Sequence, residues 1–326
     1  MNVRRIVAGS VAAVLSLVTT TASTRAADEP AKDSKPIHAL LVCGGCCHDY
    51  LHQKDIITKG ISARANVVWT IAYDPSKTTS HPNPVYDNPD WAKGFDIVVH
   101  DECTADVKDL AFVEKVLKPH KEGLPAMVLH CGMHSYRTAN FPKDTPWFEF
   151  TGMNTNHHGP QLPISITFTD TQNPIVHGMK NWTTIHEELY HTESLAATAH
   201  ALATGEQKSA RYNDKNPVIW TNSYHGTRVF CTTIGHNNET CNDPRYLDLL
   251  THGMLWALNR LDDKGTKPAA NSGAAPSTSV QAAAPAREAA QSARRGRASA
   301  RSLSDPAKIA ASLRAPAGFD LTVYAS

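Results

Sequence analysis

The chain lacks an excess of charge of either sign: 32 Lys and Arg stand against 31 Asp and Glu, a formal net charge of +1 over 326 residues. Such a balance gives no reason to expect nucleic acid or an anionic membrane surface as a partner. It also lacks an apolar run of the ~20 residues that a spanning helix needs. The nearest approach, Ile6–Thr19, is short and rich in small residues; it follows Arg4 and Arg5 and precedes Thr24-Arg25-Ala26, the order of a secretory signal peptide. Residues 1–26 are therefore expected to be removed, leaving no membrane span and a periplasmic or secreted protein. An even cysteine count is missing too. Seven cysteines in an exported chain leave at least one thiol without a partner inside it. Cys43, Cys46 and Cys47 crowd one stretch. Cys43-Gly44-Gly45-Cys46 can be read as a redox pair or, because Cys43 still belongs to an apolar run and no thioredoxin-like order of elements follows, as a plain loop.

What is present is alternation. His38–Cys43 is a continuous apolar run, as expected of a strand covered on both faces. Gly44-Gly45 opens a turn, and Asp49 stands where it can cap a helix to about Arg64 that carries Tyr50, Ile57 and Ile61 on one face. Asn66–Ala72 reads as a second strand, Asp74–Asp90 as a surface excursion, Phe95–His100 as a third strand, and Val107, Leu110, Val113 and Leu117 as one face of a helix. That helix returns the chain to Met127-Val128-Leu129. Crossovers of this length imply an α/β fold, an open parallel sheet with helices on both faces. Ligands of such sheets bind outside the carboxyl ends of the strands, which places Gly44–His48, His100-Asp101 and His130-Cys131 on one rim.

Beyond Arg137, Ile164, Ile166 and Phe168 alternate with polar residues as in a half-exposed strand, and a further strand is expected at His200–Thr204. Val218–Thr221 and Arg228–Ile234 read as a hairpin turned at His225-Gly226. Asp243-Pro244 starts a closing helix with Tyr246, Leu250, Met254, Ala257 and Leu261 as its buried stripe. The domain so described spans residues 36–262. Residues 263–304 fall to Ala, Ser, Pro and Arg and are expected to form a disordered linker, while residues 305–326 regain pattern as the start of a truncated or second module.

Several phrases, taken in order, resemble the ThuA-like (trehalose utilisation) family: Gly44-Gly45 with His48-Asp49, Leu129-His130-Cys131-Gly132-Met133-His134, Gly152 with His157-His158, Asn173-Pro174-Ile175, Glu188-Leu189-Tyr190, Pro217-Val218-Ile219-Trp220, Gly226–Phe230, Gly235-His236, and Gly253–Ala257. The resemblance covers roughly His38–Asn259 and implies a flavodoxin-like, class I glutamine amidotransferase-like fold. Amidotransferases carry a nucleophilic cysteine at the elbow after a parallel strand. Here the elbow residue is His130, as in ThuA-like proteins, and Cys131 falls one place later, which argues against amidotransferase chemistry. The tail phrase Pro316–Asp320 resembles the opening of propeller dehydrogenase modules, implying a dehydrogenase module or partner.

A rim holding His48, His130, His134 and Glu188 as catalytic candidates, with Arg137, His158, Tyr190, His236 and Asp101 as substrate-binding candidates, could work in two ways. Imidazoles and a carboxylate can hold a divalent metal such as Zn²⁺, for which His48, His134 and His236 are the candidate ligands. They can equally act as general acid and base with no cofactor. Glu188 and Tyr190 could instead form a structural turn, with Tyr190 packed beneath the rim. Trp91 and Trp147, in excursions near the rim, could stack on a sugar. The expected function is binding or processing of a sugar or keto-sugar by a hydrolase or isomerase, with a non-catalytic scaffold for the dehydrogenase module as the alternative.

Overall fold

The computed structural model describes residues 35–137 and 145–261. The expected signal peptide, linker and C-terminal module lie outside them. The described chain runs β1 (Ile37–Gly45), α1 (Tyr50–Ser62), β2 (Val67–Asp74), β3 (Ile97–Cys103), α2 (Leu110–Lys121), β4 (Ala126–Leu129), α3 (Pro146–Thr151), β5 (Met153–Asn154), β6 (His158–Phe168), β7 (Trp182–Tyr190), β8 (Ser194–Leu195), β9 (Ala199–Lys208), β10 (Asn213–Tyr224), β11 (Thr227–Thr232), α4 (Asn238–Cys241) and α5 (Pro244–Ala257). Short 3-10 turns occupy Pro84–Asp87 and His130–His134.

Nine strands form one sheet in the order β2-β1-β3-β4-β11-β10-β9-β6-β7. The strands from β2 to β11 pair in parallel, in the register Leu41 to Ile71 and Val42 to His100. From β11 to β7 every pairing is antiparallel. The expected parallel α/β sheet is thus present and continues into an antiparallel wing.

The period of two along β1 divides its side chains between two cores. Ala39, Leu41 and Cys43 pack with Tyr50, Ile57 and Ile61 of α1 and Leu250 and Met254 of α5. Leu40 and Val42 pack with Val113, Val116 and Leu117 of α2 and with Trp147 and Phe150 of α3. Each fully buried aliphatic side chain contributes about 2 kcal/mol. Arg64 Nε donates to Asp248 Oδ1 at 2.6 Å and joins α1 to α5. The expected hairpin is formed by β10 and β11, with His225 and Gly226 at φ 50° and 83°, the backbone that a tight two-residue hairpin turn demands.

Four local expectations are corrected. Asp49 precedes α1 but makes no side-chain cap; its carboxylate pairs with His52 at 2.8 Å and accepts from Asn238 at 2.7 Å. Helix α2 begins after Asp109, which caps it through Ala111 N, so Val107 lies in the preceding loop. Glu188 and Tyr190 lie on strand β7, not in a turn. Trp91 and Trp147 are 4% and 0% exposed, and the Trp147 indole donates to the Gly132 carbonyl, so neither can stack on a ligand.

The cysteines also differ from the Cys43–Cys46 redox reading. Cys43 faces the core as a free thiol whose pKa burial pushes far up. Cys46 is bonded to Cys47 and Cys103 to Cys131. Among the described residues no helix is long and apolar enough to cross a membrane.

Candidate metal centre

The site begins with two glycines. Gly44 and Gly45 close β1 at φ 129° and 93°, and a Cβ on either would run into the carbonyl oxygen of Asp74 or Cys103 on the flanking strands. Only glycine permits this exit from between two neighbours. The loop it releases delivers His48.

At the end of β4, His130 holds φ 38°, an elbow that lifts its side chain out of the sheet. Its Nδ1 lies 2.6 Å from the Thr233 carbonyl and must carry the proton of that bond. In the neutral tautomer Nε2 is then the lone pair, and it is buried and without a hydrogen-bond partner. It faces Glu188 Oε2 of β7 at 3.5 Å.

His236 arrives on the loop after β11. The Glu187 carboxylate accepts from its main-chain N at 3.1 Å, and Gln53 donates to its carbonyl at 2.9 Å, so this loop is held from two sides. His236 Nδ1 stands 3.3 Å from Glu188 Oε1, within range of its charge but out of line for a hydrogen bond. His48 Nδ1 is likewise buried and unpartnered, its ring edge-on to His130 and His236 with centroids 4.6 and 4.9 Å apart. The donor atoms of His48, His130, Glu188 and His236 all lie within 4.8 Å of one another.

Electrostatics match the geometry. Burial, with His130 and His236 adding to it, brings His48 down to about 2, so its imidazole is neutral. Burial alone would raise the Glu188 pKa, but the His130 and His236 imidazoles beside it outweigh burial and hold the carboxyl far below its usual range. For His236 burial pulls downward and Glu188 prevails, giving a net rise. A charged carboxylate among imidazoles is a donor set suited to a divalent cation. The Thr233 carbonyl on His130 supplies the outer contact that fixes a ligand's tautomer.

Beside this cluster opens a cavity of about 300 Å³ lined by His48, His134, Arg137, His158, Glu188 and Tyr190, with Cys47, Cys103 and Cys131 on its wall. His158 Nε2 approaches Glu188 Oε2 to 3.5 Å. Arg137, half-buried, donates to the Asn156 carbonyl at 2.6 Å.

Of the expected metal ligands, His48 and His236 meet, while His134 does not. Its ring stacks on Tyr190 at 3.9 Å and its Nε2 pairs with Thr155 Oγ1 at 3.1 Å, so it belongs to the cavity wall. His130 and Glu188 complete the four instead. Asp101 is 4% exposed and does not line the cavity; burial, then Glu102, raises its pKa well above the usual range. His100 turns away from the rim to Glu102 and His120.

Sequence reasoning missed three contributors. Gln161 Nε2 lies 3.1 Å from Glu188 Oε1 and 3.0 Å from His236 Nε2. Glu187 holds the His236 loop, and the Thr233 carbonyl orients His130. The adjacent glutamates Glu187 and Glu188 were the one available signal, since a carbonyl leaves no mark in the sequence.

The fold and cluster define a class first: an α/β domain with a histidine–carboxylate cluster gathered beyond the ends of its parallel strands. More particularly, the chain belongs to the ThuA family, whose model, described as trehalose utilisation, matches residues 46–257. Among solved structures it is similar to a ThuA-like protein from Parabacteroides merdae, with 18% identity, a TM-score of 0.52, and coverage of 69% of this chain and 90% of that one. A ThuA-like protein from Bacteroides uniformis shows 14% identity, a TM-score of 0.51, and coverage of 73% and 98%. A glutamine amidotransferase from Thermotoga maritima, at 10% identity, a TM-score of 0.39, and coverage of 69% and 99%, is too distant to argue from. No curated protein matches the chain.

Proposed function

We propose that this is an exported ThuA domain that binds a divalent metal, Zn²⁺ in the first instance, through His48, His130, Glu188 and His236, and acts on a sugar or keto-sugar in the adjoining cavity. The observation that carries this reading is the convergence of three buried or half-buried imidazoles and one carboxylate on a common point, with the facing nitrogens of His48, His130 and His236 lacking hydrogen-bond partners. A metal held there would polarise a carbonyl or lower the pKa of bound water.

The chain's own groups supply the rest. His158, more than a third exposed and 3.5 Å from Glu188, can move a proton between the substrate and solvent. Arg137 offers donors to orient hydroxyl groups, and the buried His134 and Tyr190, stacked on each other, form the wall beside it. Sugar as the substrate class is supported by the family's link to trehalose utilisation. Export is supported by the N-terminal pattern of Arg4-Arg5 and Ile6–Thr19 and by the two bonded cysteine pairs, which suit an oxidising compartment. A dehydrogenase-type partner rests on the pattern of residues 305–326 alone.

Metal analysis of the purified chain, combined with a binding and turnover panel of sugars and keto-glycosides, tests the proposal. The expected result is close to one equivalent of metal, with affinity falling at least about tenfold in His130→Ala and Glu188→Gln. Absence of metal together with absence of binding or turnover across the panel would sink it.

A further inference from the structure

Four sulfurs meet beside the cavity, those of Cys47, Cys103 and Cys131 on its wall and that of Cys46 behind them, and the chemistry above uses none of them. Cys46 and Cys47 are bonded to each other, as are Cys103 and Cys131. The two pairs also touch, because Cys46 Sγ lies 3.8 Å from Cys103 Sγ. Their exposure is graded: Cys47 is exposed, Cys46 half-buried, and Cys103 and Cys131 are 3% and 5% exposed. The remaining described cysteines, Cys43, Cys231 and Cys241, are buried free thiols.

We infer that these four cysteines form a thiol–disulfide exchange relay, driven by an external dithiol reductant, which carries reduction from the exposed Cys47 to the buried Cys131 beside His130. The inference does not depend on the metal or on sugar binding.

Exchange needs a thiolate in contact with a disulfide sulfur and a path for the first attack; the 3.8 Å approach of Cys46 to Cys103 supplies the first and the exposure of Cys47 the second. A thiolate of the dithiol attacks Cys47 Sγ, breaking the Cys46–Cys47 bond. A mixed disulfide forms on Cys47, and Cys46 leaves as the thiolate. Cys46 then attacks the neighbouring Cys103 Sγ, forming Cys46–Cys103 and expelling Cys131 as the thiolate. The second thiol of the reductant resolves the mixed disulfide, so the reductant departs as its own disulfide and Cys47 becomes a thiol. Two electrons and two protons pass from the dithiol to the protein. Two disulfides become one disulfide and two thiols.

The products are placed with consequence. Cys47 directly precedes His48, Cys131 directly follows His130, and both line the cavity. In the exchanged form the wall presents two sulfur nucleophiles beside the imidazoles, while the new Cys46–Cys103 bond ties the β1 loop to the end of β3 in place of the lost Cys103–Cys131 tie between β3 and the β4 elbow.

Peptide mapping of the oxidised full-length protein, treated with one equivalent of dithiothreitol and trapped with N-ethylmaleimide, tests the relay. The expected outcome is label on Cys47 and Cys131 with a cross-linked peptide joining Cys46 to Cys103. Label on Cys46 and Cys47 with Cys103–Cys131 intact would overturn the relay. So would label on Cys103 and Cys131 with Cys46–Cys47 intact, or label on all four before any reductant is added. In a Cys46→Ser/Cys47→Ser variant, labelling of Cys131 should slow at least about tenfold, because its buried disulfide must then wait for direct attack. An unchanged rate would count against the inference, and the wild-type map decides the matter even if that variant does not fold.

Discussion

Moving an imidazole out of water disfavours its charged form, and this chain contains such a ring both inside and outside the site. His48 is neutral among its fellow donors, which suits a metal ligand. His120, fully buried in the last turn of α2, shows the same effect without a site around it. Its Nδ1 donates to the Leu124 carbonyl at 2.7 Å, leaving Nε2 to accept from His100 at 3.1 Å. Burial, with His100 second, lowers its pKa to about 3. An unfolded histidine binds its proton below about 6.5, whereas the folded His120 binds one only near 3. Between those values the unfolded state holds more protons, so this contribution to stability is lost as pH falls from about 6.5 toward 3, on the order of 1 kcal/mol per pH unit. Urea unfolding between about pH 4 and pH 7 should show a shallower decline in His120→Gln than in the wild type, even with the variant less stable at pH 7. An identical slope would mean that His120 is protonated in the folded protein. At this scale the sequence exposed residue types well and partners poorly. His130 and Glu188 could be singled out, one by its elbow and the other by the company it keeps in a familiar phrase. That Gln161 would reach both Glu188 and His236 could not be, because contacts between distant segments leave no local signature.

At the scale of elements, legibility followed burial. Strands β1, β3 and β4 are covered on both faces and read as apolar runs, and α5 showed its proline start and the buried Tyr246, Leu250, Met254 and Ala257 of its stripe, while the expected Leu261 falls past the helix end. Strand β7 was missed because His186, Glu187 and Glu188 break every apolar period, and two of those polar residues are there to build the site. The turn after β1 is where an element and the site depend on the same atoms. Gly45→Ala would force a side chain onto a left-handed backbone and against the Cys103 carbonyl, whereas Gly94, also at positive φ (88°), has open space around it. A Gly94→Ala variant should lose about 1 kcal/mol from backbone strain alone. Gly45→Ala should lose clearly more, roughly 3 kcal/mol or above, since clash and strain add. Urea midpoints of the two variants measure the difference, and equal losses would show that the turn relaxes without cost.

Over the whole molecule, the four donors come from the loop after β1, the elbow after β4, the body of β7 and the loop after β11. In the order of the sheet β7 is the far edge, yet Glu188 reaches His130 beyond the end of β4, so the antiparallel wing must curl back over the strand ends. The parallel half was readable because each crossover declares its own direction. The curl was not, because it arises from how four antiparallel strands twist together. A centre gathered from residue 48 to residue 236 exists only when both halves of the sheet are in place, so its metal should bind the folded chain far better than the unfolded one. Saturation at about a hundred times the dissociation constant would then add about 3 kcal/mol to stability. For a domain of this size that corresponds to a rise in Tm of roughly 5–10 °C. Calorimetry of the metal-stripped protein with and without Zn²⁺ should show this rise, its reversal by a chelator, and its disappearance in a His48→Ala/Glu188→Gln double variant. A Zn²⁺-dependent rise that survives in the double variant would place the metal elsewhere on the chain and remove these four residues from the assignment.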